Sequence, residues 1–191
     1  MSKVLIAYAS ASGSTAEIAR DLGEQFDQAD VRAVQEIDDV SEYDAVVVAA
    51  PMILGWHRHA ASFAGQHAAA LAGKPVAYCI TCLALAHSNE SEVDGIPCTI
   101  DPGLGKPPAN PQKLSFRERM TSIGHYMESV RKPAPNVAPV SVGFFNGKLD
   151  YGTLNLFQRL FVQVIVRAQV GDFRNMDAIR AWAKGLPFNN H

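Results

Sequence analysis

The chain has few cysteines, no excess of charge of one sign, and no long hydrophobic run. Its 191 residues include three cysteines, and its formal net charge is −2. An odd number of cysteines at irregular spacing excludes a secreted disulfide framework and favours a reducing, cytoplasmic location. The near balance of charge excludes a general nucleic-acid binder, which would present a basic face.

Apolar runs are short throughout the chain. The longest, 160–166, is interrupted by Gln163 and falls well below the ~18 residues that a membrane-spanning helix needs. The first residues show no charged and apolar regions of a signal peptide. Hydrophobic residues make up 48% of the chain, enough for one domain over 1–191 with a full core. We expect a cytoplasmic protein, with peripheral contact at the inner face of the membrane as an open alternative.

Three apolar runs are continuous rather than alternating, as is typical of strands buried on both faces of a parallel sheet. They are residues 4–8, 45–50 and 76–80. Weaker runs predict two further strands at 31–34 and 140–145. Helical spacing falls between the strands, at 14–26, 59–71, 115–131, 153–170 and 177–184. This alternation predicts an α/β doubly wound fold with a five-stranded parallel sheet.

Residues 87–112 follow neither pattern. They contain five prolines and three glycines and come directly after the fourth strand. A long loop inside a domain is usually functional or disordered, and ligands of open α/β sheets bind beyond the carboxyl ends of the strands. This insertion is therefore expected to be either a lid or a disordered surface segment.

The loop after the first strand carries the strongest signal for a ligand. It consists of Ser10, Ala11, Ser12, Gly13, Ser14 and Thr15, and four of these six residues have a hydroxyl group. A phosphate there would meet free backbone N–H groups and the positive end of a helix dipole. Neither the dinucleotide fingerprint nor the Walker motif is present. The alternative is a turn that only caps the helix, since Ser14 and Glu17 have capping-box spacing.

The pattern Ser10-x-Ser12-Gly13-Ser14-Thr15 resembles the phosphate loop of the flavodoxins, and the preceding Ile6-Ala7-Tyr8 resembles their apolar-x-aromatic lead-in. A second stretch, with Gly55, His57 and His59, is similar to the menaquinone-dependent protoporphyrinogen oxidase branch of that family. The resemblance implies strand order 2-1-3-4-5 with one FMN at the switch point. It also implies that the flavin takes hydrogens from a porphyrinogen and passes them to a quinone.

The resemblance further implies that three loops contact FMN. Besides 10–15, they contribute Met52, Ile53, Leu54, Gly55, Trp56 and His57 after the third strand, and Thr81, Cys82, Leu83 and Ala84 after the fourth.

Two kinds of side chain near the cofactor loops have alternative interpretations. Trp56 is suited to stack on the flavin ring, or else is a core residue. His57 and His59 are candidates to bind substrate carboxylates or tune the flavin, or else are exposed histidines at a helix start. No catalytic acid or base is predicted, because the cofactor carries the redox chemistry.

Two further features leave alternatives open. Cys79 and Cys82 form a C-x-x-C within a predicted strand, which favours buried structural thiols over a redox pair, and no second pair completes a zinc site. The apolar helix predicted at 153–170 fits a core helix, a membrane-surface contact or a homodimer interface.

The sequence leaves several functions open. The first is an FMN-dependent oxidoreductase that passes electrons from a small-molecule substrate, porphyrinogen-like, to a quinone. The alternatives are a flavodoxin-type electron carrier, an FMN-dependent quinone reductase that uses a nicotinamide cofactor, and a non-catalytic flavin-binding module. Because carriers are usually strongly acidic, the net charge of −2 disfavours the carrier.

Overall fold

The apolar runs of the sequence become the strands of one central sheet. The computed structural model describes residues 2–53, 55–149 and 171–189. Its strands are β1 Val4–Tyr8, β2 Ala29–Ala33, β3 Ala45–Pro51, β4 Val76–Cys82, β5 Glu92–Val93, β6 Ile96–Ile100, β7 Ser141–Asn146, β8 Lys148–Leu149 and β9 Gly171–Asp172. Its helices are α1 Ser14–Gly23, α2 Arg58–Gln66, α3 Ala68–Leu71, α4 Phe116–Met120, α5 Ile123–Arg131 and α6 Met176–Lys184, with a 3-10 turn at Val34–Glu36.

The five predicted strands pair in parallel in the order β2-β1-β3-β4-β7. Counted along the predicted strands, this is 2-1-3-4-5, so the flavodoxin-like doubly wound fold is confirmed. The chain passes from β1 to β2 on one side and then returns to β3 on the other. The switch point of the sheet therefore lies between β1 and β3.

The insertion after β4 enlarges this sheet. Its β6 pairs in parallel with β7, and β5 pairs antiparallel with β6, which gives seven strands in the order β2-β1-β3-β4-β7-β6-β5. The expectation of five strands is thus corrected to seven, and residues 92–100 form a hairpin rather than a structureless lid. Asp94 and Gly95 connect β5 to β6 with φ of 52° and 79°. Two successive positive φ values are typical of the tight hairpin turn that an Asp-Gly pair favours.

Both faces of the sheet are covered, because successive residues of a strand point to opposite sides. Leu5, Val46 and Tyr78 belong to one buried cluster, which includes residues of α2 and α5. Residues next to them in the strands pack on the other face against α1 and α6. This double burial explains why the strands are continuous apolar runs.

Two of the predicted helices are divided in the structure. The helix predicted at 59–71 is split into α2 and α3 at His67, whose φ of −100° and ψ of 10° leave the helical region. The helix predicted at 115–131 is split into α4 and α5. The break coincides with backbone hydrogen bonds from Ala86 N–H to the Thr121 carbonyl and from Ile123 N–H to the Ala86 carbonyl. The predicted helix at 153–170, with its membrane and dimer interpretations, lies outside the described residues.

Candidate functional site

The loop from Ser10 to Thr15 lies at the carboxyl end of β1, beside the switch point. Gly13 is the N-cap residue of α1, with φ of 86°, and no side chain caps the helix. The Gly13 N–H donates to Ser10 Oγ at 2.9 Å, which fixes the bend of the loop. The first N–H groups of a helix have no acceptor within the helix. Since Ala11, Ser12 and Gly13 are exposed, the loop presents backbone donors and the Ser12 hydroxyl where an anion can reach them. Ser10 and Ser14 are half-buried, and Thr15 is buried.

The alternative capping box of Ser14 and Glu17 is not formed, since Gly13 is the N-cap residue and no side chain caps the helix. Glu17 Oε2 instead accepts from Arg174 Nη1 at 2.6 Å, because α6 and the segment before it pack beside α1. The same Arg174 nitrogen donates to the Ser14 carbonyl at 3.3 Å. Arg174 therefore contacts the start of α1 through Ser14 and Glu17. The first N–H groups of the helix stay available to another acceptor.

The loop after β3 is fixed by backbone hydrogen bonds to both sides. The Met52 N–H donates to the Thr81 carbonyl at 2.8 Å, and the His57 N–H donates to the Pro51 carbonyl at 3.1 Å. Gly55 adopts φ of 116°, a conformation open to glycine. Of the predicted contacts in this loop, Ile53, Gly55 and His57 are half-buried and Met52 is buried. Leu54 lies outside the described residues.

Trp56 belongs to the core rather than to the surface of this loop. Its side chain is 7% exposed, and its ring meets Tyr78 edge-on with centroids 5.2 Å apart. Its backbone N–H donates to Ser129 Oγ at 3.1 Å. This placement favours the core interpretation of Trp56 over stacking on a flavin. Burial also raises the pKa of Tyr78 to about 12.

His57 and His59 lie together, with ring centroids 5.4 Å apart. Burial lowers the pKa of His57, and the nearby His59 and Arg58 lower it further. The imidazole of His57 is therefore neutral near pH 7. Its Nδ1 is buried and has no hydrogen-bond partner within the described part of the chain.

The loop after β4 lies at the same edge of the sheet. Thr81 and Cys82 are buried, whereas Leu83 and Ala84 are half-buried. Cys79 and Cys82 belong to the clusters on opposite faces of the sheet, so they cannot form a disulfide without rebuilding the strand. Burial raises the pKa of the Cys79 thiol to about 12 and also that of Cys82. Both observations support structural thiols.

The insertion is tied to this loop by a backbone hydrogen bond from the Lys106 N–H to the Leu85 carbonyl at 3.2 Å. On another side, the Ala86 N–H donates to the Thr121 carbonyl at 2.8 Å and joins the loop to the segment between α4 and α5. The buried His87 adds a hydrogen bond between its Nε2 and the Leu104 carbonyl at 2.9 Å. These contacts place the segment as a wall beside the loop after β4, and its interpretation as a lid stays a prediction.

A cleft of about 590 Å³ opens between this wall and the loop after β4. It is lined, among others, by Leu83, Ala84, Lys106, Pro107 and Arg117. The volume lies in the range of small-molecule sites, and the lining combines apolar surface with two basic residues and the acidic Glu118. Lys106 and Arg117 carry no signal in the sequence, because only the tertiary fold brings the insertion and α4 to this edge of the sheet.

Two other polar residues lie near the site. Arg174 contacts the Glu17 carboxylate at the start of α1, although it lies 157 positions further along the chain. Asp101, 1% exposed, follows β6 at the carboxyl edge and accepts from Gly103 N–H at 2.9 Å and from Asn146 N–H and Asn175 Nδ2 at 3.3 Å each. Spacing in the sequence gives no signal for either.

Over 2–53, 55–149 and 171–189, no group of three or more His, Cys, Asp or Glu side chains could hold a metal ion. In the same ranges, no helix has the length and apolar character required to cross a membrane.

A doubly wound sheet with a hydroxyl-rich loop at its switch point defines the class of flavodoxin-like α/β proteins. The sequence agrees, because residues 5–175 match the family model described as the flavodoxin domain. The chain belongs to the flavodoxin domain family. No curated protein matches the sequence.

Solved structures of flavoproteins are similar to the chain at low sequence identity. A protein of Bacteroides uniformis ATCC 8492, provisionally assigned as a flavoprotein, has a TM-score of 0.50 at 14% identity, over 96% of this chain and 98% of its own. The flavoprotein of Lactobacillus acidophilus NCFM in complex with FMN has a TM-score of 0.45 at 12% identity, over 75% and 93%. A flavodoxin variant of Fusobacterium nucleatum bound to flavin mononucleotide has a TM-score of 0.35 at 16% identity, over 43% of this chain and 52% of its own. The alignment thus spans about half the length of that flavodoxin.

Proposed function

We propose that the chain binds one FMN and uses it to pass electrons from a small-molecule donor to an acceptor. The observation that carries this proposal is the loop from Ser10 to Thr15. It combines a left-handed glycine at the helix N-cap, uncapped backbone N–H groups and the exposed Ser12 at the switch point of the sheet. This donor set suits a phosphate monoester.

The neighbouring loops suit the flavin ring. Ile53 and Gly55 after β3 and Leu83 and Ala84 after β4 are half-buried at the same edge as the phosphate loop. These side chains and their backbone would cover the apolar ring and keep water from it. His57 Nδ1 offers one polar contact, since it is buried without a partner among the described residues. When bound, FMN would supply the two-electron redox chemistry, and the chain would supply placement and electrostatics.

The donor would bind in the cleft beside the loop after β4. Lys106, Arg117 and Glu118 line this cleft together with apolar residues. Two basic side chains and one acidic side chain beside apolar surface suit an apolar molecule with a carboxylate. A porphyrinogen, with a quinone as acceptor, has this chemistry and follows from the resemblance of Gly55, His57 and His59. In this proposal the two histidines contact the substrate or the flavin.

Membership of the flavodoxin domain family also favours a second candidate, an electron carrier between proteins. A carrier would need no substrate cleft, and its steering would depend on a strongly acidic surface. The net charge of −2 and the cleft walled by the insertion support the enzyme over the carrier.

The test is an anaerobic turnover assay on the FMN-loaded protein. The bound flavin is first confirmed by its absorbance and by reduction with dithionite. The protein is then mixed with protoporphyrinogen and a menaquinone analogue, and porphyrin fluorescence is followed against a protein-free control. A rise that requires both protein and quinone supports the oxidoreductase.

The negative outcomes separate the alternatives. A flat trace with a bound, reducible flavin contradicts the porphyrinogen substrate and leaves the carrier or a nicotinamide-dependent quinone reductase, which NADH with a quinone would then reveal. Failure to bind FMN at all contradicts the whole proposal.

Replacing Lys106 with Ala should raise the KM for a carboxylated substrate without changing FMN binding, which separates the cleft from the cofactor loops.

A further inference from the structure

The start of α1 contains an acidic residue where an anionic phosphate is proposed to bind. Glu17 lies in the first turn of the helix, and helical side chains lean towards the N-terminus. A carboxylate there interacts favourably with the helix dipole. For a bound phosphate, however, the same carboxylate is a nearby like charge that weakens binding.

Arg174 opposes that charge from the far end of the chain. Its side chain is 13% exposed, and it pairs with Glu17 and with Asp172 at 2.6 Å each. Arg174 Nε also donates to Asp172 Oδ1 at 2.8 Å, so the pairing of the guanidinium with the Asp172 carboxylate is bidentate. These pairs lower the pKa of both carboxyl groups and raise the pKa of Arg174. All three groups are therefore charged near neutral pH.

The same guanidinium also touches the backbone of the phosphate loop. One nitrogen, Nη1, donates both to Glu17 Oε2 at 2.6 Å and to the Ser14 carbonyl at 3.3 Å. Lys148 lies close enough for its charge to lower the pKa of Glu17 and Asp172 further. The charges of Arg174 and Lys148 balance those of Glu17 and Asp172. Removing the charge of Arg174 would leave this cluster with a net negative charge.

We infer that Arg174 is a positioning residue for the phosphate of the flavin: it neutralises Glu17 and fixes the Ser14 carbonyl, and thereby sets the preference for FMN over the unphosphorylated flavin. This inference rests on the proposed FMN binding. It assigns a role in cofactor choice to the segment of residues 172–174, which lies outside all three predicted cofactor loops.

The experiment compares the binding of FMN and of riboflavin to the full chain freed of flavin, by quenching of flavin fluorescence. Riboflavin has the same ring system but no phosphate, so the ratio of the two Kd values isolates the phosphate contribution. R174Q is expected to lower the preference for FMN roughly tenfold while leaving riboflavin binding unchanged. The double variant R174Q/E17Q is expected to recover most of that loss, since it removes the unopposed carboxylate.

A matched control is present in the chain. Arg180 in α6 pairs with Asp21 in α1, with Nη2 to Oδ1 at 2.6 Å. Asp21 lies two turns away from the phosphate loop. R180Q should therefore leave the Kd ratio unchanged. Should R174Q fail to fold, E17Q alone still tests the role: it should raise the FMN preference about two- to threefold, because Arg174 then faces one carboxylate fewer.

The outcomes distinguish this inference from the proposed function. A wild-type chain that binds neither flavin overturns both. If the wild-type chain prefers FMN, but R174Q and E17Q keep the wild-type ratio, the role of Arg174 is overturned and FMN binding stands. Equal loss of riboflavin and FMN binding in R174Q also overturns it, because that pattern indicates a purely structural arginine.

Discussion

Gly13 offers the sharpest test of the phosphate loop. Its φ of 86° is left-handed, yet a Cβ built at this position would meet no atom within 4 Å. The effect of Gly13→Ala is therefore conformational and not steric. A left-handed conformation costs a residue with a side chain roughly 1–2 kcal/mol.

That free energy should appear mainly in ligand binding. The loop is exposed, so the free chain can relax to another conformation, and the strain returns when a phosphate requires the left-handed one. We expect the Kd for FMN to rise roughly 5- to 30-fold in G13A, measured by flavin fluorescence titration of the flavin-free chain. G13N should fall between wild type and G13A, because asparagine tolerates the left-handed region better.

Gly124 in α5 provides the control. A Cβ there also meets no atom within 4 Å, but the residue has ordinary helical geometry. G124A should stabilise the fold by up to about 1 kcal/mol and leave the Kd for FMN unchanged. If G13A retained both the wild-type Kd and the wild-type Tm, the left-handed glycine would have no role in the site, and the reasoning would be refuted.

Three further predictions follow from buried groups. Asp101→Ala leaves three donors without an acceptor and should lower the free energy of unfolding by about 3 kcal/mol. The Tm should then fall by roughly 6–12 °C. A fall below 2 °C would contradict the role of Asp101 in joining the insertion to the C-terminal helix. Cys79 and Cys82 should not react with a thiol reagent at pH 8 until the chain is denatured, and fast labelling of the native protein would refute their burial. The His57 imidazole should titrate below its ordinary value of 6.5 in an NMR titration. Because the unfolded state then binds the extra proton, this residue makes the fold less stable as pH falls from 6.5 through the lowered pKa.

The loop from Ser10 to Thr15 shows how much of a site can be predicted from adjacent residues. The strand, the loop and the helix follow each other directly, and an anion site at a helix N-terminus is made by neighbouring backbone groups. A short segment is therefore enough to predict an anion site at Ser10 to Thr15. The parallel strands were equally readable, because burial on both faces requires continuous apolar residues.

The insertion was partly readable as well. Asp94-Gly95 between two short β-rich segments is a hairpin signal, although prolines surround it. That β6 would extend the sheet beside β7 had no local signal, because the pairing of Cys98 with Val142, far apart along the chain, is chosen by packing of the whole domain.

The sequence by itself determined the doubly wound class, because the alternation of continuous apolar runs with helical spacing is a local pattern. The strand order came from the resemblance to the flavodoxins, and the loop from Ser10 to Thr15 stays a predicted phosphate site. Only the tertiary structure decided that Glu17 pairs with Arg174 instead of capping its helix, that Trp56 is a core residue, and that the insertion builds a wall with Lys106. In each case the deciding partner lies far away along the chain. Long-range contacts of this kind form only when helices and strands dock, and no local pattern encodes which distant charge or ring will arrive.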